Sequence, residues 1–118
     1  MDSDRASTLL DELAEQYSEL GIRITRVALR LIGEEVRSAH PTAHTVLLWE
    51  ADGSGLAYSA MRTADGRSLE IDDGTHEEVA QAASWLTEAT AETWQALASD
   101  ESSTYWCFQI NALTSIEP

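Results

Sequence analysis

The chain has 118 residues, seven arginines and no lysine, against twenty-one aspartates and glutamates, for a formal net charge of −14. A surface of that sign repels nucleic acid and anionic lipid, so neither is expected as a direct ligand. The 43% hydrophobic content is that of an ordinary folded protein and excludes disorder on composition. No apolar run approaches the length of a membrane span. The single cysteine, Cys107, cannot close an internal disulfide, which points to a reducing cytoplasm. The opening Met1-Asp2-Ser3-Asp4-Arg5 has neither the basic nor the apolar region of a secretory signal. The length suits one domain spanning 1–118, able to bury roughly 65% of its unfolded surface without a metal or disulfide. The absence of lysine fits a GC-rich codon bias, in keeping with the abundant alanine.

The first predicted element is a helix from about Asp4 to Leu20. Leu9, Leu10, Leu13, Tyr17 and Leu20 recur at helical spacing on one face, with Asp11, Glu12, Glu15 and Glu19 on the other. Gly21 then stands where a helix C-cap is expected. A second helix is predicted from about Ile22 to Ala39, because strict alternation fails there and a 3.6-residue period gathers Ile24, Val27, Ala28, Leu31 and Ile32. Gly33 weakens that helix and Pro41 stops it. The same period brings Arg23, Arg26, Arg30 and Arg37 into a stripe, four of the seven cations in one segment. Such a stripe is either a weak anion or carboxylate site or, as the preferred reading, internal neutralisation of an acidic face.

Three short β-like runs follow, at Thr45–Ala51, Leu56–Thr63 and Ser68–Asp72. They are separated by Asp52-Gly53-Ser54-Gly55 and Ala64-Asp65-Gly66-Arg67, turn sequences that predict an antiparallel meander. Thr75-His76-Glu77-Glu78 reads as a capping box opening a helix to about Ala98. Its apolar face holds Val79, Ala82, Ala83, Leu86, Thr90 and Leu97, with Trp94 at the margin. Asp100–Ser103 reads as a loop and Tyr105–Ile110 as a last, well-covered strand. The expected fold is α+β, with a four-stranded antiparallel sheet and about three helices in the order α-α-β-β-β-α-β.

No catalytic or cofactor pattern stands out. His40 and His44 are separated by Pro41. His76 sits among Asp72, Asp73, Glu77 and Glu78, but without the spacing of a metal motif, and a helix N-terminus attracts carboxylates without any metal. The Asp-Gly segments lack the ligand register of a calcium loop. Cys107, between Trp106 and Phe108, reads as a small buried hydrophobe. The strongest single-residue lead is Trp85, which falls on the solvent-directed line Glu78, Gln81, Trp85, Glu88, Glu92. A tryptophan ringed by acids is what a binding anchor looks like, and cover by the N-terminal helix or a second subunit is the equal alternative. Trp49 and Trp106, in strands, are expected in the core.

The sequence therefore predicts a non-catalytic, cytoplasmic protein-binding module with no cofactor and no metal. An acidic inhibitor of a basic protein, immunity-type or DNA-mimic, is one form of it. Trp85, Glu78, Glu88 and Glu92 with Glu12, Glu15 and Glu19 would form the contact surface, and electrostatic steering would speed association. Two alternatives stand beside it. One is a small-ligand domain or enzyme with a sheet–helix pocket that uses the arginine stripe, His76 and Tyr58. The other is a structural homodimer.

Overall fold

A computed structural model describes residues 3–50, 55–102 and 104–117 of the chain. The architecture is α+β, with four α-helices and a five-stranded antiparallel sheet. The helices are α1 (Ser3–Ala39), α2 (Asp73–Ala83), α3 (Ala91–Gln95) and α4 (Ile110–Thr114), and a 3₁₀ turn, Glu88–Thr90, precedes α3. The strands are β1 (Ala43–Glu50), β2 (Leu56–Thr63), β3 (Ser68–Leu69), β4 (Ala98–Ser102) and β5 (Tyr105–Gln109), in the spatial order β3-β2-β1-β5-β4. The predicted meander is present, and the last strand pairs on both sides, but only Phe108 of its five residues is buried. The counts of strands and helices differ from expectation, and so do several boundaries.

The largest difference is at the start. The two predicted helices are one, running 37 residues without interruption. Gly21 does not end it. A glycine in a helix interior costs only about 1 kcal/mol, less than the burial of Thr25, Ala28, Leu29 and Ile32 in the turns that follow contributes. At 1.5 Å per residue the helix is roughly 55 Å long, which accounts for the 61 Å long axis of the molecule. Only its second half meets the rest of the chain. Thr25, Ala28, Leu29, Ile32, Gly33 and Val36 are buried, whereas every residue from Ser7 to Leu20 is exposed.

The core lies where α1 packs on α2 and α4, and where those two helices meet the sheet. Met61, Val46 and Phe108 form one fully buried row across β2, β1 and β5. Leu48 lies on the same face, two residues along β1. The opposite sheet face carries Trp49 and Tyr105, register partners that are both more than a third exposed, so Trp49 is not a core residue. Trp106 and Cys107 are half-buried rather than fully buried.

α2 starts earlier and ends earlier than predicted. Its N-cap is Asp72, whose Oδ2 accepts from the Thr75 backbone N–H at 3.0 Å, so the capping role falls on Asp72 instead of Thr75. Thr75 itself is buried. The helix stops at Ala83 although neither glycine nor proline marks the end. Trp94 explains the break: its ring is buried, and its Nε1–H donates to the Thr87 carbonyl at 2.8 Å. Thr87 is extended, with ψ at 170°. A continuous helix would have tied up that carbonyl and carried Trp94 away from Trp106, whose ring it meets edge-on at 5.3 Å. The segment predicted as helix end and loop, Ala98–Ser102, is instead the edge strand β4, pairing with β5 alone. It lacks β-branched and aromatic residues, so composition gave no sign of it. β3 is shorter than predicted, with only two residues. Ala51, at the end of the first predicted strand, and residues 52–54 of the first predicted turn lie outside the described residues. Gly55, the last residue of that turn, has φ +119°, and a Cβ there would collide with the Ser84 carbonyl oxygen, so there is no room for one.

Asp72 also hydrogen-bonds His40, Oδ1 to Nε2 at 2.9 Å, joining the end of α1 to the start of α2. The Thr75 backbone N–H, then the Thr75 hydroxyl, and more weakly His40 hold the Asp72 carboxyl down at about 2, against some opposing desolvation. A carboxyl whose folded value lies below its unfolded value adds stability above the unfolded value, and that part is lost as the pH falls through the folded one. For Asp72 the window runs from about pH 4 down to about pH 2. Asn in place of Asp72 keeps a cap acceptor but loses the titration. The difference in urea midpoint between wild type and Asp72→Asn should therefore shrink as the pH is lowered through that window. A constant difference would mean the carboxylate form has no special role.

Candidate functional site

The side chains that α1 leaves uncovered form a regular pattern. Ala6, Leu10, Leu13, Tyr17, Leu20, Ile24, Val27 and Leu31 are spaced alternately by four and three residues, the seam pattern of a helix that packs along another helix. They lie on a different face from Thr25, Leu29, Ile32 and Val36, which point to the core. α1 thus has two apolar stripes: one used by the fold from residue 25 onward, and one running from Ala6 to Leu31 along the outside. On the outer stripe Leu10 is 67% exposed, Leu13 52% and Tyr17 79%, and Leu20, Val27 and Leu31 are also exposed. Full burial of one such side chain contributes about 1.5–3 kcal/mol, so most of that stabilisation is still available to a partner.

The predicted faces were assembled differently. Leu9, Leu10, Leu13, Tyr17 and Leu20 do share a face, but that face is exposed, not packed. Ile24, Val27 and Leu31 belong to the same outer stripe, while Ala28 and Ile32 are buried against the body. Ending a helix at Gly21 split one stripe into two. The four-three spacing running unbroken through Gly21 was the signal that could have joined them.

Where α1 meets the body, the outer stripe becomes the wall of a groove of about 420 Å³. Leu20, Ile24, Val27 and Leu31 line one side, and Glu78, Gln81, Ala82 and Trp85 the other. A second hollow of about 530 Å³ runs between Tyr17–Thr25 and the segment 87–93. Trp85 stands at the junction of the two and is 58% exposed. It lies just past the end of α2, its backbone N–H bonded to Ala82 O at 3.1 Å. The predicted neighbours Glu78, Gln81, Glu88 and Glu92 are all exposed around it. They reach it through a helix, a turn and a 3₁₀ segment, rather than along one helix.

The charges on α1 are also divided along its length. Glu12 and Glu19, both exposed, precede Arg23, Arg26 and Arg30 on one flank of the outer stripe, and exposed Glu15 lies on the side of α1 opposite the stripe. Since all six belong to one straight helix, the arginines cannot fold back over the acids of their own chain, as the two-helix reading had allowed. Arg23 lines the groove. Arg30 donates to the Ile116 carbonyl at 2.9 Å and pairs with Glu34 at 3.3 Å, and Arg37 donates to Asn111 Oδ1. The stripe therefore spreads along α1 and its contacts with the C-terminal segment, and it does not converge on one anion.

The polar candidates elsewhere remain apart. His40 is engaged with Asp72, and exposed His76 meets the Tyr58 ring edge-on at 5.2 Å. Partial burial raises the Tyr58 hydroxyl above its ordinary value. Among the described residues, no group of three His, Cys, Asp or Glu side chains could hold a metal ion. No described helix is long and apolar enough to cross a membrane. Core side chains pack between sheet and helices, and a third hollow of about 330 Å³ opens where Glu50 and Leu56 of the sheet meet Leu86, Glu88, Ala91 and Trp94. No protein-family model, curated protein or solved structure matches the chain.

Proposed function

We propose that this chain is a non-catalytic protein-binding module whose contact surface is the outer stripe of α1 together with Trp85. One observation carries the reading: a regularly spaced apolar stripe left exposed along a helix of 37 residues. A contiguous exposed apolar surface rimmed by charge marks an interaction site, and a seam of this period is built to receive a helix. Trp85 supplies the large aromatic anchor typical of binding hot spots. The finer reading, an acidic inhibitor of a basic protein, draws on the net charge of −14 and on the exposed Glu12, Glu15, Glu19, Glu78, Glu88 and Glu92. Those carboxylates would steer a basic partner toward the groove in a salt-sensitive way.

The reading is tested by photo-crosslinking inside the native cell. A benzophenone side chain replacing Tyr17, on the stripe, should give a discrete adduct of higher mass. The same group replacing Asp65, on the exposed β2–β3 turn, should not. Equal labelling from both positions, or none from position 17, would remove the basis for a specific surface. For the basic-partner version, the yield of a heterologous adduct in lysate should fall as salt is raised.

A further inference from the structure

Resting on the reading of the outer α1 stripe as a binding surface, we infer that its occupant is α1 of a second copy of this chain, lying antiparallel. The seam residues set the register. With Tyr17 opposite Leu20 of the second copy, Leu13 faces Ile24, Leu10 faces Val27 and Ala6 faces Leu31. Every outer-stripe residue then meets another across the two-fold axis, as alternating seam positions do in an antiparallel helix pair. The overlap covers roughly 39 Å of helix at 1.5 Å per residue.

Charge decides both the orientation and the partner. Glu12 and Glu19 occupy the first half of one flank, and Arg23, Arg26 and Arg30 the second half of the same flank. A parallel pair would set this charged flank against the uncharged flank of Ser7, Ala14, Gly21 and Ala28, with no ion pairs gained. An antiparallel pair brings each acidic half against the arginines of the other copy, and each contact is made twice. A pattern complementary to its own reversal is what an isologous interface needs. A uniformly basic partner would match the acidic half and be repelled by the arginine half.

Shape agrees. The residues flanking the seam on the side of α2 are Ser7, Ala14, Gly21 and Ala28. Gly21 and Ala28 already lie close to the body of their own chain, Gly21 near Thr90 and Ala28 buried in the groove wall. Ser7 and Ala14 sit on the projecting half, and their small side chains let that half lie low beside α2 and Trp85 of the other copy. Four heptads of seam with both flanks give about 16 positions per copy, and Glu78, Gln81 and Trp85 add to them. That approaches the 20–30 residues a side of a standard stable interface. Asp11 and Glu15 stay outside the seam, so pairing leaves an acidic exterior.

Sedimentation equilibrium of the purified full chain across micromolar concentrations tests this. The expected mass is twice 12.9 kDa. Leu13→Glu should raise the dimer Kd roughly 100-fold, because a charge would be buried in the seam. E12R/E19R should weaken the dimer by setting arginine against arginine, and adding R23E/R26E to the same chain should restore it. A wild-type mass of 12.9 kDa, or a Leu13→Glu variant that still pairs, overturns self-association. Failure of the four-substitution chain to recover pairing overturns the antiparallel arrangement. If the wild type is monomeric yet position 17 still crosslinks to a different protein, self-association is overturned while the binding-module reading stands.

Discussion

Replacing Trp94 with alanine should destabilise the fold by about 3–5 kcal/mol, the range for a buried tryptophan. Trp94 is 2% exposed, meets Trp106 edge-on and donates its indole N–H to the Thr87 carbonyl. The substitution removes all of this at once. It leaves a cavity, a Trp106 ring without its neighbour, and a carbonyl in a partly buried place without its donor. Against a total stability of about 5–15 kcal/mol, the variant should be on the edge of unfolding. Trp85→Ala serves as the counterpart, with an expected loss below about 1 kcal/mol in the monomer, since a 58% exposed ring has little to lose on truncation. Urea titration at concentrations low enough to keep the chain monomeric compares the two. The opposite ranking would place Trp85 in the core and remove the anchor from the proposed surface.

Gly33→Ala and Gly21→Ala should have opposite signs. Alanine in a helix interior gains about 0.8–1 kcal/mol over glycine. At Gly21 that gain should be realised, because an added Cβ would stand 3.4 Å from the Thr90 methyl, an ordinary contact. At Gly33 the Cβ would stand 2.7 Å from Leu113 Cβ and 3.2 Å from the Thr114 backbone nitrogen. Leu113 is fully buried, and the backbone cannot move aside without moving α4. Overpacking of this kind costs about 1–3 kcal/mol, more than the gain over most of that range, so a net loss of up to about 2 kcal/mol is expected. Stabilisation by both substitutions would mean that α4 is not pressed against α1 at Gly33.

These two glycines show where the sequence could be read and where it could not. Gly21 and Gly33 look alike from composition. One is an interior helix residue beside a shallow contact, and the other exists to admit α4. The choice between them depends on what approaches from residues 90 and 113, far along the chain. Trp94 and Trp85 are a similar pair. The periodic pattern put Trp85 outside, where it is, and left Trp94 at the margin of a helix that in fact breaks to bury it. β4 was invisible because its residues have no strand character, and its pairing is supplied wholly by β5.

The candidate surface was half legible. Its apolar residues, its acids and Trp85 were all identified along the chain, but as the buried face of one helix, the buried face of another and a lone anchor. Joining them required knowing that α1 does not turn at Gly21.

By itself, the sequence determined the α+β class, the central antiparallel strands, the position of Trp85 away from the apolar face around it and the division of charge between the acids before Gly21 and the arginines after it. Those features are local: they follow from period, turn chemistry and residue type. Only the tertiary structure decided which stripe of α1 the core takes, where α2 breaks and which half of α1 projects. Those depend on which distant side chains compete for the same buried space, and an apolar stripe looks the same in sequence whether its partner is the body of its own chain or lies beyond it.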